Sequence, residues 1–306
     1  MLALTLESQR GRAMNSATTA TPDEKSAAWK AFGLFLLLML AISCIFYAIM
    51  ISQGAMNLLS VTGIMWSPGI AAVLTCLILK RQVASLPWGW GEWKWNWLAY
   101  VLPIGYGLAL YLPVWVFSLG GSGFGDPEAL ASFASFVSAS ETPGALAAAG
   151  GILMTGTLGM AASMSRALGE EIGWRGFMIW EMRKIMPFWL VGVLSGLIWS
   201  LWHWPGILFT DYNAGEGNQV LQMILFTLSV MPMGIVYAWI TFRSKSLWPA
   251  AILHASHNLF LQRIYTPLTA HGEKTHFYID EFGILLPLVS VCLAVLFLWK
   301  AKKDGL

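Results

Sequence analysis

Glu170, Glu171 and Arg175 stand inside an otherwise apolar stretch, as do His203 and, farther along, His254 and Asn258. A carboxylate, two imidazoles and an amide can take up or give a proton and can donate to or accept from a bound group, so together they mark a functional site. Ionisable groups are expensive to place in long apolar segments, so each marks a functional site unless a partner accounts for it. Helical spacing sorts them. Glu171 and Arg175 are four apart, share a face and can pair. Glu170 lies about 100° round the helix from Glu171 and stays free for chemistry. His254 and Asn258 are also four apart and present donors or acceptors to one side. Glu170, His203 and His254 together also fit a three-ligand set for Zn²⁺ with an open fourth position, so zinc is a cofactor these residues admit without requiring it.

The elements that carry them are membrane helices. Only 11% of the 306 residues are charged and 57% are hydrophobic, where a soluble domain carries roughly a quarter charged residues. Segments near the roughly 20 apolar residues needed for a crossing fall at 31–52, 57–79, 97–119, 146–168 (continuing beyond), 188–208, 220–242, 247–264 and 282–299. The fold class is therefore all-α: a polytopic transmembrane helical bundle of about eight spans, since a barrel would alternate in hydrophobicity. With both termini cytoplasmic, 14 Lys and Arg fall on the inner side and only Arg263 and Lys274 on the outer, the bias expected of an integral protein of the cell membrane. Counted along the helices, Glu170 and His203 lie roughly 20–24 Å from the turn at 183–187, and His254 and Asn258 about 12–18 Å from theirs. Those depths are compatible with one constellation, opened toward the cytoplasmic side.

The remaining features are quieter. Residues 1–28 are polar and read as a disordered tail with no apolar signal segment. Residues 29–144 hold the first helices and the outer loop 120–145, which reads as partly helical. Residues 145–265 hold the polar clusters, and 266–306 an outer loop, the last span and a basic terminus. Cys44, Cys76 and Cys292 sit in apolar runs as small buried hydrophobes. Trp88, Trp90, Trp93, Trp95 and Trp97 read as an interfacial belt, and His271 and His276 as surface residues of an outer loop.

At the polar clusters the chain resembles the CPBP family of CAAX proteases and bacteriocin-processing enzymes, also called Abi. The EExxxR motif is met by Glu170, Glu171 and Arg175, and HxxxN by His254 and Asn258. FxxxH is met only at His203, because position 199 is Trp, a change that keeps an aromatic ring. The resemblance covers about 145–265. It implies an intramembrane endopeptidase in which Glu170 activates water beside His203, and His254 and Asn258 stabilise the oxyanion. Glu171 and Arg175 would support them. The implied partners are membrane lipids and a peptide or protein substrate, lipidated or not; nucleic acid is not among them.

Two short matches point elsewhere. Gly120-Gly121-Ser122-Gly123 fits the rhomboid GxSG pattern, and Gly123-Phe124-Gly125-Asp126 fits the GxGD of presenilin-type aspartyl proteases. The rhomboid order of serine and histidine helices is reversed here, and no span holds a second Asp. A reading from another class is an ion- or proton-coupled transporter, or a non-catalytic scaffold or immunity protein, using the same polar cluster. Transporters usually carry repeated halves, and this chain shows no internal repeat.

Overall fold

The computed structural model describes residues 20–54, 56–121, 123–138, 144–212, 215 and 217–306. The first helix, α1, spans Pro22–Gln53. It starts inside the segment expected as a tail because Thr21 and Glu24 form a reciprocal capping box with Pro22 in the first turn, satisfying amide groups that would otherwise lack partners. Helix α2 (Leu58–Ile78) starts on the Asn57 cap, and α3 (Trp93–Phe117) follows the tryptophan-rich connection. The outer loop is partly helical, as read: α4 spans Pro127–Ser135, and the Asp126 carboxylate caps it. That gives the acid of the GxGD match a structural task; Ser122 of the GxSG match lies outside the described residues.

Helix α5 (Ala145–Gly173) runs through a π-helical turn at Trp174–Met178 into α6 (Ile179–Ile185). Helices α7 (Phe188–Phe209) and α8 (Gln219–Ser244) form the next hairpin. The expected seventh span is helical but interrupted, with α9 (Trp248–His257), a π segment (Asn258–Tyr265) and α10 (Thr266–Leu268). Helix α11 (Leu285–Lys303) closes the chain. Seven helices, counting α5–α6 as one, are long and apolar enough to cross a membrane among the described residues. This is a polytopic helical bundle and an integral membrane protein.

Packing between helices relies on small residues, as it must where lipid supplies no hydrophobic drive between helices. A Cβ on Gly69 would come within 2.6 Å of the Gly169 carbonyl, and one on Gly173 within 2.5 Å of Pro68 backbone. Helices α2 and α5 therefore cross in backbone contact beside Glu170. Interhelical hydrogen bonds fasten α5 further: Ser163 Oγ donates to the Ala255 carbonyl (2.8 Å) and Tyr100 Oη to that of Gly156 (2.8 Å). Such bonds contribute about 0.6 kcal/mol each on average, so close packing carries most of the association.

The bundle has two unlike ends. At the basic end the connections 79–92, 183–187 and 245–247 lie together, with Arg81 paired to Glu181 (3.0 Å) and Trp248 Nε1 donating to the Trp88 carbonyl (2.7 Å). The other end holds 54, 56–57, 118–121, 123–138, 210–212, 217–218 and 269–284. There Asp211 accepts from the Met56 amide (2.8 Å), and a short antiparallel pair, β1 (Gly123–Phe124) with β2 (Thr269–Ala270), staples the loops.

Candidate active site

The helices bearing the EExxxR and HxxxN motifs change pitch beside their polar residues. The π turn follows Glu171 by three residues and contains Arg175, and the second π segment begins at Asn258. A π turn inserts a residue into the helical ladder and re-aims the side chains after it, a device concentrated at functional sites. The pairing expected from spacing is present. Arg175 Nη1 donates to Glu171 Oε1 and Oε2 (2.9 and 3.0 Å), and His254 Nδ1 lies 2.9 Å from Glu171 Oε1. The Arg175 guanidinium is fully buried, 4.3 Å from the Trp199 ring and 4.1 Å from the Tyr237 ring. Its Nε and Nη2 have no hydrogen-bond partner, so the two ring faces and Glu171 supply its stabilisation.

Glu170 turns to a different face. Its Oε2 accepts from Trp199 Nε1 (2.7 Å) and from Trp174 Nε1 (3.3 Å). Among the described residues Oε1 has no protein partner, and it is open to the cavity that Glu170 lines. His203 behaves alike. Its Nδ1 is 2.8 Å from the Trp199 carbonyl, an arrangement that only Nδ1–H can use, which leaves Nε2 unpartnered. His254 uses Nδ1 on Glu171 and has Nε2 free, and no side-chain hydrogen bond holds the Asn258 amide. Glu170, His203, His254 and Asn258 all line one cavity of about 990 Å³. Each thus presents one unpaired polar group to it, and all but Asn258 are fixed through another atom.

Three residues outside the predicted site set also take part. Trp199 sits at the centre: besides holding Glu170, its ring lies 5.3 Å from that of His254 and 6.1 Å from that of His203. His257 Nδ1 shares a hydrogen bond with Tyr106 Oη (2.6 Å), and its Nε2 faces Glu281 Oε1 (3.4 Å). Glu281, expected in an exposed outer loop, is buried and also accepts from Tyr212 Oη (2.8 Å). Burial alone would raise the Glu281 carboxyl, but its contacts with His257 and Tyr212 outweigh it and hold the group below the usual carboxylate range. Asp280 beside it is pushed up to about 7, first by burial and then by the Glu281 charge. The remaining outer-loop histidines, His271 and His276, do not line the cavity.

The cavity lies toward the end opposite the one expected. Its outer lining comes from Met56, Asn57, Ser132, Phe136, Pro267 and Glu281, and none from the basic connections. On the basic side it is closed by the packed rings around Arg175. An opening toward the cytoplasmic side, combined with cytoplasmic termini, is therefore not what the fold provides. The depth count overlooked that α7 ends six residues after His203, at Phe209, near the other end. Among the described residues no three His, Cys, Asp or Glu side chains converge as metal ligands; Glu170, His203 and His254 share the cavity without meeting at one point.

Residues 152–260 match the family model described as Rce1-like, type II CAAX prenyl endopeptidase. That stretch runs from α5 to the second π segment and contains all six motif residues. It is similar to the core of a type II CAAX prenyl endopeptidase. A relative, CAAX prenyl protease 2 of Methanococcus maripaludis, is 37% identical over 119 residues. The aligned stretch covers 38% of this chain and 41% of that relative's length.

Proposed function

We propose that this protein is an intramembrane endopeptidase that hydrolyses a peptide bond in a membrane-associated peptide or protein, with Glu170 as the general base. The observation carrying this reading is the state of Glu170: a buried carboxylate, anchored by Oε2 on Trp199, with Oε1 open to the cavity. A base so held meets water in a fixed direction, and such a base contributes typically 10²–10⁴-fold. Water bound at Oε1 loses its proton to Glu170 as its oxygen attacks the substrate carbonyl. Asn258 Nδ2–H and a protonated His254 Nε2 donate to the resulting oxyanion. His203 Nε2, on the next turn beyond Trp199, relays the proton to the leaving amine. Glu171 and Arg175 orient His254. None of these steps is routed through a metal.

The apolar wall of the cavity, with Leu58, Val61, Ile64 and Met65 of α2, suits an aliphatic chain, so a lipidated substrate fits this reading. With both termini cytoplasmic, the mouth of the cavity faces the opposite side of the membrane.

The test is cleavage by purified wild type against Glu170→Gln and Asn258→Ala in lipid nanodiscs. Loss of about 10²–10⁴-fold in kcat is expected for the first and of about 10²–10³-fold for the second, with melting temperatures retained. Wild-type turnover by Glu170→Gln would remove Glu170 as the base. Chelation and metal analysis of the same samples test metal dependence directly.

A further inference from the structure

Glu281 belongs to the connection between α10 and α11, outside residues 152–260, yet it is buried and lines the same cavity as Asn258. The loop is folded to bring it there. Asp280 takes a left-handed backbone (φ 64°), and the Ile284 amide donates to the Phe277 carbonyl (2.9 Å). A Cβ on Gly283 would come within 2.3 Å of the Ile279 carbonyl oxygen, so the turn closes only with glycine. Both carboxylate oxygens then meet a partner. Oε2 accepts from Tyr212 Oη (2.8 Å), and Oε1 faces His257 Nε2 (3.4 Å), while His257 Nδ1 is engaged by Tyr106 Oη (2.6 Å). Burying a carboxylate is costly even when it is paired, and acids are ordinarily left in water. A loop that carries one inward does so for what the carboxylate holds.

What it holds is read from the residue that follows His257. His257 ends α9, and Asn258 opens the π segment. Among the described residues no hydrogen bond fixes the Asn258 side chain, so its direction depends on the backbone that carries it. A π turn departs from the regular helical ladder, and an anchor at its start decides where the next side chain points. His257 is that anchor, engaged at both ring nitrogens, by Tyr106 of α3 and by Glu281 of the outer loop. Tyr212 steadies the carboxylate from the other side, its own ring packed on those of His203 (centroids 6.0 Å apart) and Phe282 (5.4 Å). We propose that Glu281 is a positioning residue that acts through His257 to aim the Asn258 amide into the cavity. The outer loop thereby completes a centre whose other members stand on helices. This rests on the endopeptidase reading for the role of Asn258, but not for the clamp itself.

The experiment compares Glu281→Ala and Glu281→Gln, each alone and combined with Asn258→Ala, in the full chain in nanodiscs. Peptide cleavage gives kcat and KM, and thermal unfolding gives stability. NMR of chains carrying isotope-labelled asparagine follows the Asn258 side-chain amide, identified by its loss in Asn258→Ala. A misplacement of about 1 Å can cost about 10²-fold, so Glu281→Ala should lower kcat about 10- to 100-fold with KM within about twofold. Glu281→Gln keeps an oxygen for Tyr212 and an amide for His257, and should recover part of the loss. In the Asn258→Ala background neither change should cost more than about twofold, because the group they aim is gone. Equal losses in both backgrounds overturn the proposal, since Glu281 then acts elsewhere, and so does an unmoved Asn258 signal in Glu281→Ala. If Glu281→Ala does not fold, Tyr106→Phe keeps the ring, removes the other anchor of His257 and must show the same non-additivity. A shifted Asn258 signal in a protein whose wild type cleaves no peptide keeps the clamp and rejects the endopeptidase reading. Wild-type cleavage that Glu281→Ala leaves unchanged does the reverse.

Discussion

The indole N–H of Trp199 donates to Glu170 Oε2 at 2.7 Å, and the carbonyl of the same residue holds His203 Nδ1 at 2.8 Å. One residue thus orients two members of the site through different atoms. The family pattern has Phe at this position, which would supply the ring and the carbonyl but no N–H.

Trp199→Phe separates these contributions. A hydrogen bond to a charged group is worth about 1.5–3 kcal/mol, so the variant should lose roughly 10- to 100-fold in kcat if the bond serves the transition state. Trp174 Nε1, at 3.3 Å, remains as a second donor and limits the loss. Peptide cleavage kinetics with a melting curve check this: a fall in kcat with unchanged KM and stability supports the orienting role.

The buried group Arg175–Glu171–His254 predicts a different phenotype. Removing Arg175 strands the Glu171 charge among rings, and breaking a buried pair from one side typically costs about 3–5 kcal/mol. Arg175→Ala should therefore lower expression and melting temperature, not only turnover. Glu171→Gln in the same chain should recover part of that stability, because the stranded charge is gone. Thermal unfolding of the two single variants and the double variant measures the coupling; simple additivity would mean that the pair does not act as a unit.

The ion pair shows how far the sequence could be read. Glu171 and Arg175 are four apart on one helix, so their contact follows from helical geometry alone, as does the divergence of Glu170. His254 joined by helix depth, a coarser guide. The motif marked position 199 as aromatic, but the donor role of Trp199 was hidden, because 17 tryptophans stand in this chain and an apolar span gives no sign of which indole donates inward. Glu281 was hidden because charge placement assigns it to a solvated loop; its burial comes from the loop folding back onto Tyr212 and His257, a long-range contact without periodicity. The spans survived because hydrophobic length needs no tertiary information. The interrupted seventh helix, by contrast, took its π segment from packing.

The side on which the cavity opens can be tested by labelling. Ser132 lines the mouth and Ser85 lies in a basic connection, and both are exposed. With cytoplasmic termini, Ser132→Cys should react with a membrane-impermeant maleimide in intact cells, whereas Ser85→Cys should react only after lysis. The charge bias of 14 to two leads to that order. The opposite order would turn the whole bundle over and place the mouth in the cytoplasm.

The Asp280–Glu281 pair predicts a pH dependence of stability located in the loop outside the spans. Asp280 is pushed up to about 7 from an ordinary value of 3.8, by burial and by Glu281. The folded protein therefore binds a proton here that the unfolded chain has already released. The sign follows: Asp280 contributes stability that is fully present below pH 3.8 and is lost as pH rises through about 7. Asp280→Asn keeps the oxygen that accepts the Glu281 amide (2.9 Å) and tolerates the left-handed backbone at φ 64°, a conformation that Asn adopts readily. The variant should match wild type in acid and melt progressively higher than wild type as pH rises from 5 to 8. Parallel melting curves across that range would show that Asp280 does not titrate in the folded state, and that Glu281 with His257 governs the loop alone.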